Sequence, residues 1–437
     1  MSDLLAGPAA QWVAAASAGR TWPMLFVKQA LAGLPRDEAF AQFTAALRRP
    51  AGASLTWRPL LSARDHAERG AAIFRELEPA GEPFVNQPPR VIGEGDQRLL
   101  AHRKRSVYVA AFDQVSVRGR SQLVETSDSL LLDYEGGELA RVDDEIELDS
   151  AIFRREESGA WIIEEPSTDT LRVDECFSLL GPNSFAFGHW LAEYLPRLWL
   201  ALESGLMPAV AILIDQGMGR QHRQSLESLL PAGTRIIEVK PMQKVEVGRL
   251  WFAPTYFYAP VYPQFNQRFR YELVASPPDR FQRIVNGMLA RMAPAVAREG
   301  DDRLYLARKP GGHRQLVNHA AIEAIAVRAG FKCVYLEDHD FIEQLHMVGK
   351  AKYLLGPEGS AFFLGFFARP GTRACILNHP HTEYLTTVTA LLDAIAVECT
   401  VLTGPFERVE AGDYLHHSDY SIDPEVFSEF LRQWCAD

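Results

Sequence analysis

The chain has 437 residues, 47% of them apolar and 10% aromatic, so it is long enough for two cores and lies far from the disordered class. A net charge of -11 argues against a nucleic-acid partner, and five cysteines without CxxC spacing suit free thiols in a reducing compartment rather than a disulfide framework or a zinc site. The start, MSDLLAGPAAQWVAAASAGR, carries Asp3 and no basic residue before its apolar run, and no charge-free apolar stretch approaches the ~20 residues that span a bilayer. The expectation is a soluble, cytoplasmic protein, with contact at the inner face of the membrane left open.

Residues 1–97 are expected to form a helical appendage, because Ala, Leu and Arg dominate and Phe40, Phe43, Ala46 and Leu47 fall on one helical face. From 98 to 165 short alternating runs such as "SVYVAAFDQVSVRG" and "GAWIIEEP" are broken by Gly, Asp and Ser, which predicts antiparallel strands and hairpins. This β-rich segment leads into an N-terminal domain over 98–275. Within it, "FGHWLAEYLPRLWLALESG" predicts a helix that Pro196 ends or kinks at Leu195. "AVAILID" and "RIIEV", separated by the amphipathic "RQHRQSLESLL", predict a βαβ unit. The Pro-rich stretch 255–280 has no lasting period and reads as a connection or active-site loop.

The C-terminal domain, 276–437, is the most regular. "LYLAR", "CVYLE", "KYLLG" and "RACILN" predict four strands. Between them, Asn318 is placed to cap a helix whose Ile322, Ile325, Ala326 and Ala329 share a face, Asp340 and Glu343 form a capping-box pattern, and "SAFFLGFFA" predicts a third helix. Strands alternating with helices give a parallel sheet covered on both faces, and two such regions predict an α/β fold of two Rossmann-like domains facing a cleft.

In such sheets ligands bind beyond the carboxyl ends of the strands. Arg308 and Lys309, Glu337, and the turn Gly356-Pro357-Glu358-Gly359-Ser360 all fall at such ends. The glycines let backbone amides approach a phosphate, Arg308, Lys309 and Arg314 supply cations, and Glu337 can accept from sugar hydroxyls. A plain βα connection remains the bland alternative for the turn. His189 and Glu193, four apart, share a helical face that Arg197 continues; they suit a base and its orienter, or a solvent-facing stripe. The pair has two-ligand metal spacing without an evident third ligand, so no metal is expected. "GEGD" and "GMGR" hold Gly-x-Gly without the remainder of a dinucleotide fingerprint.

The order and spacing of "FGHWLAEYLPRL", "LYLARKPGGHRQLVN", "GFKCVYLED", "EQL" and "AKYLLGPEGSAFFLGFFARPG" resemble the motif series of glycosyltransferase family 61, over roughly residues 98–380. The resemblance implies a GT-B architecture, with a nucleotide-sugar held by the C-terminal domain and the acceptor by the N-terminal one. It also implies inverting transfer in capsular or other surface polysaccharide biosynthesis. Carried over by position, Arg308 and Arg314 match the family's paired arginines, Asn318 its following Asn, Glu337 its acidic strand end, Gln344 its helix Gln, and Gly356, Pro357 and Gly359 its Gly-Pro-x-Gly turn. The chain departs from the pattern at Glu358, where the family commonly has His, and at Ser360, where it has Ala. A carboxylate there repels a diphosphate unless Arg308 or Arg314 neutralises it.

The expected function is thus an inverting glycosyltransferase, hexosyl or pentosyl, with His189 or Glu193 as base and no permanently bound cofactor. Its partners are a nucleotide-sugar, UDP-sugar first, and a glycan or glycolipid acceptor; a homodimer is left open. The alternatives are a non-catalytic nucleotide- or glycan-binding subunit and, on fold analogy alone, a sugar-nucleotide-modifying enzyme.

Overall fold

The computed structural model describes residues 27–28, 31–86, 88–95, 100–134, 149–156, 158–166, 169–255, 278–296, 300, 302–311, 314–382, 385–408 and 418–436. The Pro-rich connection expected at 255–280 lies almost wholly outside them. Among its described residues, the segment expected as a helical appendage mixes helix with strand. After a helix at Arg36–Ala46, which buries Ala39 and Phe43, it forms β1 (Ser54–Ser62), a helix at Ala63–Gly70, β2 (Ile73–Glu78), β3 (Gly81–Asn86) and β4 (Arg90–Ile92). Tertiary pairing overrides the local helical composition: β1 lies antiparallel on β10 (Gly159–Glu164), with Leu55 opposite Ile163 and Trp57 opposite Trp161.

The β-rich expectation for 98–165 holds where residues are described. β5 (Leu100–Lys104), β6 (Val107–Arg118), β7 (Val124–Glu125), β8 (Leu130–Leu132) and β9 (Ile152–Glu156) precede β10, and β9 and β10 form an antiparallel hairpin. The predicted βαβ unit follows. β11 (Leu171–Ser178), a helix over 187–203, β12 (Ala211–Asp215), a helix at Arg220–Leu229, β13 (Ile236–Val239) and β14 (Lys244–Phe252) give four neighbouring parallel strands in the order β13-β12-β11-β14. β14 then pairs antiparallel with β6, so the parallel unit and the β-rich region merge into one 11-stranded sheet.

A helix at Pro278–Met292 leads to the second sheet. β15 (Asp302–Leu306), β16 (Lys332–Val334), β17 (Ala351–Pro357), β18 (Arg373–Asn378) and β19 (Glu398–Thr403) run parallel in the order β16-β15-β17-β18-β19. β4 closes the edge by pairing with β19, so the N-terminal segment contributes to this sheet rather than standing apart. The strand expected at "CVYLE" stops at Val334, where the chain turns into a 3-10 turn at Leu336–Asp338. The helix expected at "SAFFLGFFA" is a 3-10 helix over Ser360–Phe367. Asn318 sits at the N-cap of helix His319–Arg328 without capping it, whereas Asp340 and Glu343 do form the predicted capping box.

Both sheets share one continuous core. Phe177 and Ile212 of the first and Leu354 and Ile376 of the second belong to the same apolar cluster, bridged by Phe281, Ile284 and Met288 of helix Pro278–Met292. No described helix is long and apolar enough to cross a membrane.

The two glycines of the Gly356-Pro357-Glu358-Gly359-Ser360 turn have opposite constraints. A Cβ on Gly356 would lie 2.4 Å from the Leu306 carbonyl oxygen of the adjacent strand, whereas one on Gly359 would meet nothing within 4 Å. Gly356→Ala is expected to destabilise the fold by roughly 1–3 kcal/mol through forced strand separation. Gly359→Ala should stay within about 0.5 kcal/mol. Urea unfolding checks the ranking, and equal midpoints for the two variants would contradict it.

Candidate active site

The second sheet's order makes β15 and β17 neighbours whose connections leave in opposite directions, β15 toward β16 and β17 toward β18. This is the switch point at which open α/β sheets bind ligands. Arg308 follows β15, and Glu358 follows β17. Arg308 Nη1 donates to the carbonyls of Arg314 (3.3 Å) and Glu358 (3.4 Å), which ties the two loops together. Arg314 has a left-handed backbone, φ 57°, and its Nη1 lies 3.0 Å from Glu358 Oε2 in a mostly buried ion pair. Thus Arg314 neutralises the carboxylate that departs from the family pattern.

The loop carrying Arg314 is anchored from the far end of the chain. β21 (Asp419–Tyr420), which follows β20 (Phe406–Arg408), accepts Gln315 N–H on Asp419 Oδ1 at 2.8 Å and Val317 N–H on the Tyr420 carbonyl at 2.9 Å. The Asn318 amide spans the same seam, donating to the Ile422 carbonyl at 2.7 Å and accepting from Ile422 N–H at 3.2 Å. Its side chain therefore fixes the loop.

The other half of the site starts helix 187–203. His189 Nδ1 and Glu193 Oε1 are 2.7 Å apart, and Glu193 is only 8% exposed, which removes the solvent-facing alternative. Burial opposes the charged imidazole, but the Glu193 carboxylate, through its charge and its hydrogen bond, more than offsets this and raises the His189 pKa above its ordinary value. The helical run continues through Pro196 but changes type where the proline was expected to act, with the α-helix resuming at Leu195 and Pro196 in its first turn. A π-turn at Trp190–Tyr194, in which Leu195 N–H bonds the Trp190 carbonyl, moves the preceding carbonyls out of register before the proline ring arrives. Arg197 is buried, donates from Nε to the Ala253 carbonyl at 3.0 Å and stacks over Phe252.

A buried network sets where this helix begins. Asp215, fully buried at the end of β12, accepts from Arg120 N–H (2.6 Å) on Oδ1 and from Gly181 N–H (3.0 Å) and Ser184 Oγ (2.6 Å) on Oδ2. Burial raises its pKa against the pull of Arg120 and these donors. The phenol of Tyr194 accepts from Asn183 N–H at 3.3 Å. None of these residues was among the sequence candidates. The carboxylate at the end of "AVAILID" was a readable signal, since it stands at a strand's carboxyl end; Arg120 offered none.

The two halves meet. A Cβ on Gly188 would lie 2.8 Å from the ring of Phe363, so the residue before His189 rests directly on the 3-10 helix that follows the Gly-Pro-Glu-Gly-Ser turn. Beside this contact, Arg220 Nη2 donates to the His339 carbonyl (2.8 Å), Gln221 Nε2 to the Glu337 carbonyl (3.0 Å), and Phe341 N–H to Gln224 Oε1 (3.0 Å).

The remaining candidates are distributed around this centre. Pro357 ends β17 and is buried, while Ser360 is exposed and caps nothing with its side chain. Lys309 is half exposed and ion-paired with Asp338, and the Glu337 side chain is exposed. Gln344 is buried, with its Nε2 on the Leu336 carbonyl at 2.6 Å, so it shapes the loop below Glu337. Among the described residues no cluster of three or more His, Cys, Asp or Glu side chains is placed to hold a metal.

No curated protein matches the chain. Residues 187–375 match the family model described as Glycosyltransferase 61, a span that begins at the His189 helix and ends in β18, narrower than the resemblance over 98–380. That span, less than half of the chain, contains Gly188, His189, Glu193, Arg308, Arg314 and the 356–360 turn, and over it the chain is similar to glycosyltransferase family 61.

Proposed function

We propose that the protein is an inverting glycosyltransferase of GT-B arrangement that moves a sugar from a nucleotide-diphosphate sugar, UDP-sugar first, to a glycan or glycolipid acceptor in surface polysaccharide synthesis. The observation that carries this reading is the contact of Gly188 with Phe363, which brings the helix carrying the His189–Glu193 pair onto the 3-10 helix that follows the turn holding Glu358, the partner of Arg314. Inversion needs one in-line displacement: the acceptor oxygen attacks the anomeric carbon, its proton goes to a base, and the diphosphate leaves with the bonding pair. With Nδ1 engaged by Glu193, His189 takes the proton on Nε2. Arg308, Arg314 and the open backbone at Gly359 and Ser360 stabilise the leaving diphosphate. The reading places the donor in the cytosol and the protein at the inner face of the membrane.

The Arg314–Glu358 pair favours a second reading, a non-catalytic nucleotide- or glycan-binding subunit in which the cation is permanently neutralised. Assays with nucleotide-sugars separate the two: transfer or slow donor hydrolysis supports the enzyme, and thermal stabilisation by nucleotide without either supports the subunit.

If Arg314 stabilises the leaving group, Arg314→Ala lowers transfer by roughly 10²–10³-fold with the fold intact. Near-normal turnover would remove it from the mechanism. His189→Ala should cost roughly 10²–10⁴-fold, the range of a lost general base.

A pH profile tests the dyad. A base must be neutral, so the rate should rise through a pKa above the ordinary imidazole value and then level off. In Glu193→Gln burial is left unopposed, so the acid limb should move to lower pH while the plateau falls. An acid limb unmoved by Glu193→Gln would exclude the pair as the titrating unit.

A further inference from the structure

The Gly-Met-Gly-Arg stretch that carries no dinucleotide fingerprint occupies a specific place: it connects the carboxyl end of β12 to helix Arg220–Leu229. Gly217 has φ 83° and open space where a Cβ would be, and Gly219 is the N-cap. No side chain caps this ten-residue helix and no acidic residue stands in its first turn, so its amino end is electropositive.

Arg120 adds a second observation. It is 7% exposed, and its Nε and Nη1 are buried without a hydrogen-bond partner. Its Nη2 reaches the Gln216 carbonyl at 3.4 Å, so the guanidinium lies at the loop, stacked 5.2 Å from the Phe185 ring centroid. The nearby Asp215 carboxylate, occupied by Arg120 N–H, Gly181 N–H and Ser184 Oγ, interacts with the Arg120 charge but takes no hydrogen bond from the guanidinium. His222, in the helix's first turn, is also 7% exposed with Nε2 unpartnered. Burial pushes its imidazole down to about 4 against a hydrogen bond with the Phe185 backbone, with the Arg120 charge adding to the fall, so it stays neutral at physiological pH.

A buried cation with unused donors, a neutral imidazole and an uncapped helix end after a Gly-x-Gly loop make the complement of a phosphate group. The site is separate from the Arg308 and Arg314 turn: Arg220 and Gln221 of the same helix end bond the His339 and Glu337 carbonyls of the loop whose Asp338 pairs with Lys309.

We propose that the 216–219 loop, the amino end of helix Arg220–Leu229, Arg120 and His222 form a phosphate-binding subsite that takes a phosphate group carried by the acceptor. The assignment to the acceptor rests on the donor lying at the Arg308 and Arg314 turn.

Equilibrium dialysis of the full chain with radiolabelled pyrophosphate tests it. The wild-type chain should bind two pyrophosphates, Arg314→Gln one, Arg120→Gln one, and the double variant none. Gly217→Asp brings a negative charge into the loop at a backbone angle Asp tolerates, without touching the buried network, and should lose the same site as Arg120→Gln even if that variant folds poorly. In Arg314→Gln the retained pyrophosphate should be displaced by glucose 1-phosphate at lower concentration than by UDP. Stoichiometry unchanged in both Arg120→Gln and Gly217→Asp would overturn the subsite, and preference of the retained site for UDP would overturn its assignment to the acceptor. Failure of Arg314→Gln to lose a pyrophosphate would instead tell against the donor reading.

Discussion

Phe363 occupies the space that any side chain at residue 188 would need. That close approach brings the two α/β units together beside the candidate site residues. It brings the first turn of helix 187–203 onto the segment after β17, and it leaves His189 beside the carboxyl edge of the second sheet. The shared core beneath it, with Phe281 edge-on to Phe366 at 5.0 Å, makes the join a packed interface rather than an open hinge. Asp215 and Tyr194 work to the same end from the first sheet, since they fix the loop from which that helix starts.

Glu358 shows how charge is balanced within this frame. A carboxylate beside a diphosphate is costly, yet here Arg314 meets it at 3.0 Å while Arg308 holds the backbone of both residues. The pair leaves the turn with one net positive charge from the two arginines and the glutamate, supplemented by backbone amides at Gly359 and Ser360. A site of that kind holds an anionic leaving group with less surplus charge than two unopposed arginines would provide.

Much of the fold was legible because its signals are local. The βαβ unit around "AVAILID", the Asp340–Glu343 capping box and the parallel strands of the last third all follow from periodicity and cap chemistry within a few residues. What was not legible depends on distant partners. β1 is a strand because β10 lies against it, and β4 because β19 does. "CVYLE" ends early because the chain must turn at Leu336 to meet Gln344 and Gln221. The site was half legible. Spacing placed His189 on Glu193, and strand ends placed Arg308 near Glu358. Asn318 was misread as a helix cap because its partner, Ile422, lies 104 residues away. Arg120 escaped notice because nothing around it in sequence marks it as buried.

A crystal structure of the chain with UDP tests the joined site most directly. The diphosphate should lie between Arg308 and Arg314, over the backbone of Gly359 and Ser360, with its terminal phosphate directed toward His189. A diphosphate bound away from both arginines, or directed away from His189, would contradict the proposal that the two halves serve one reaction.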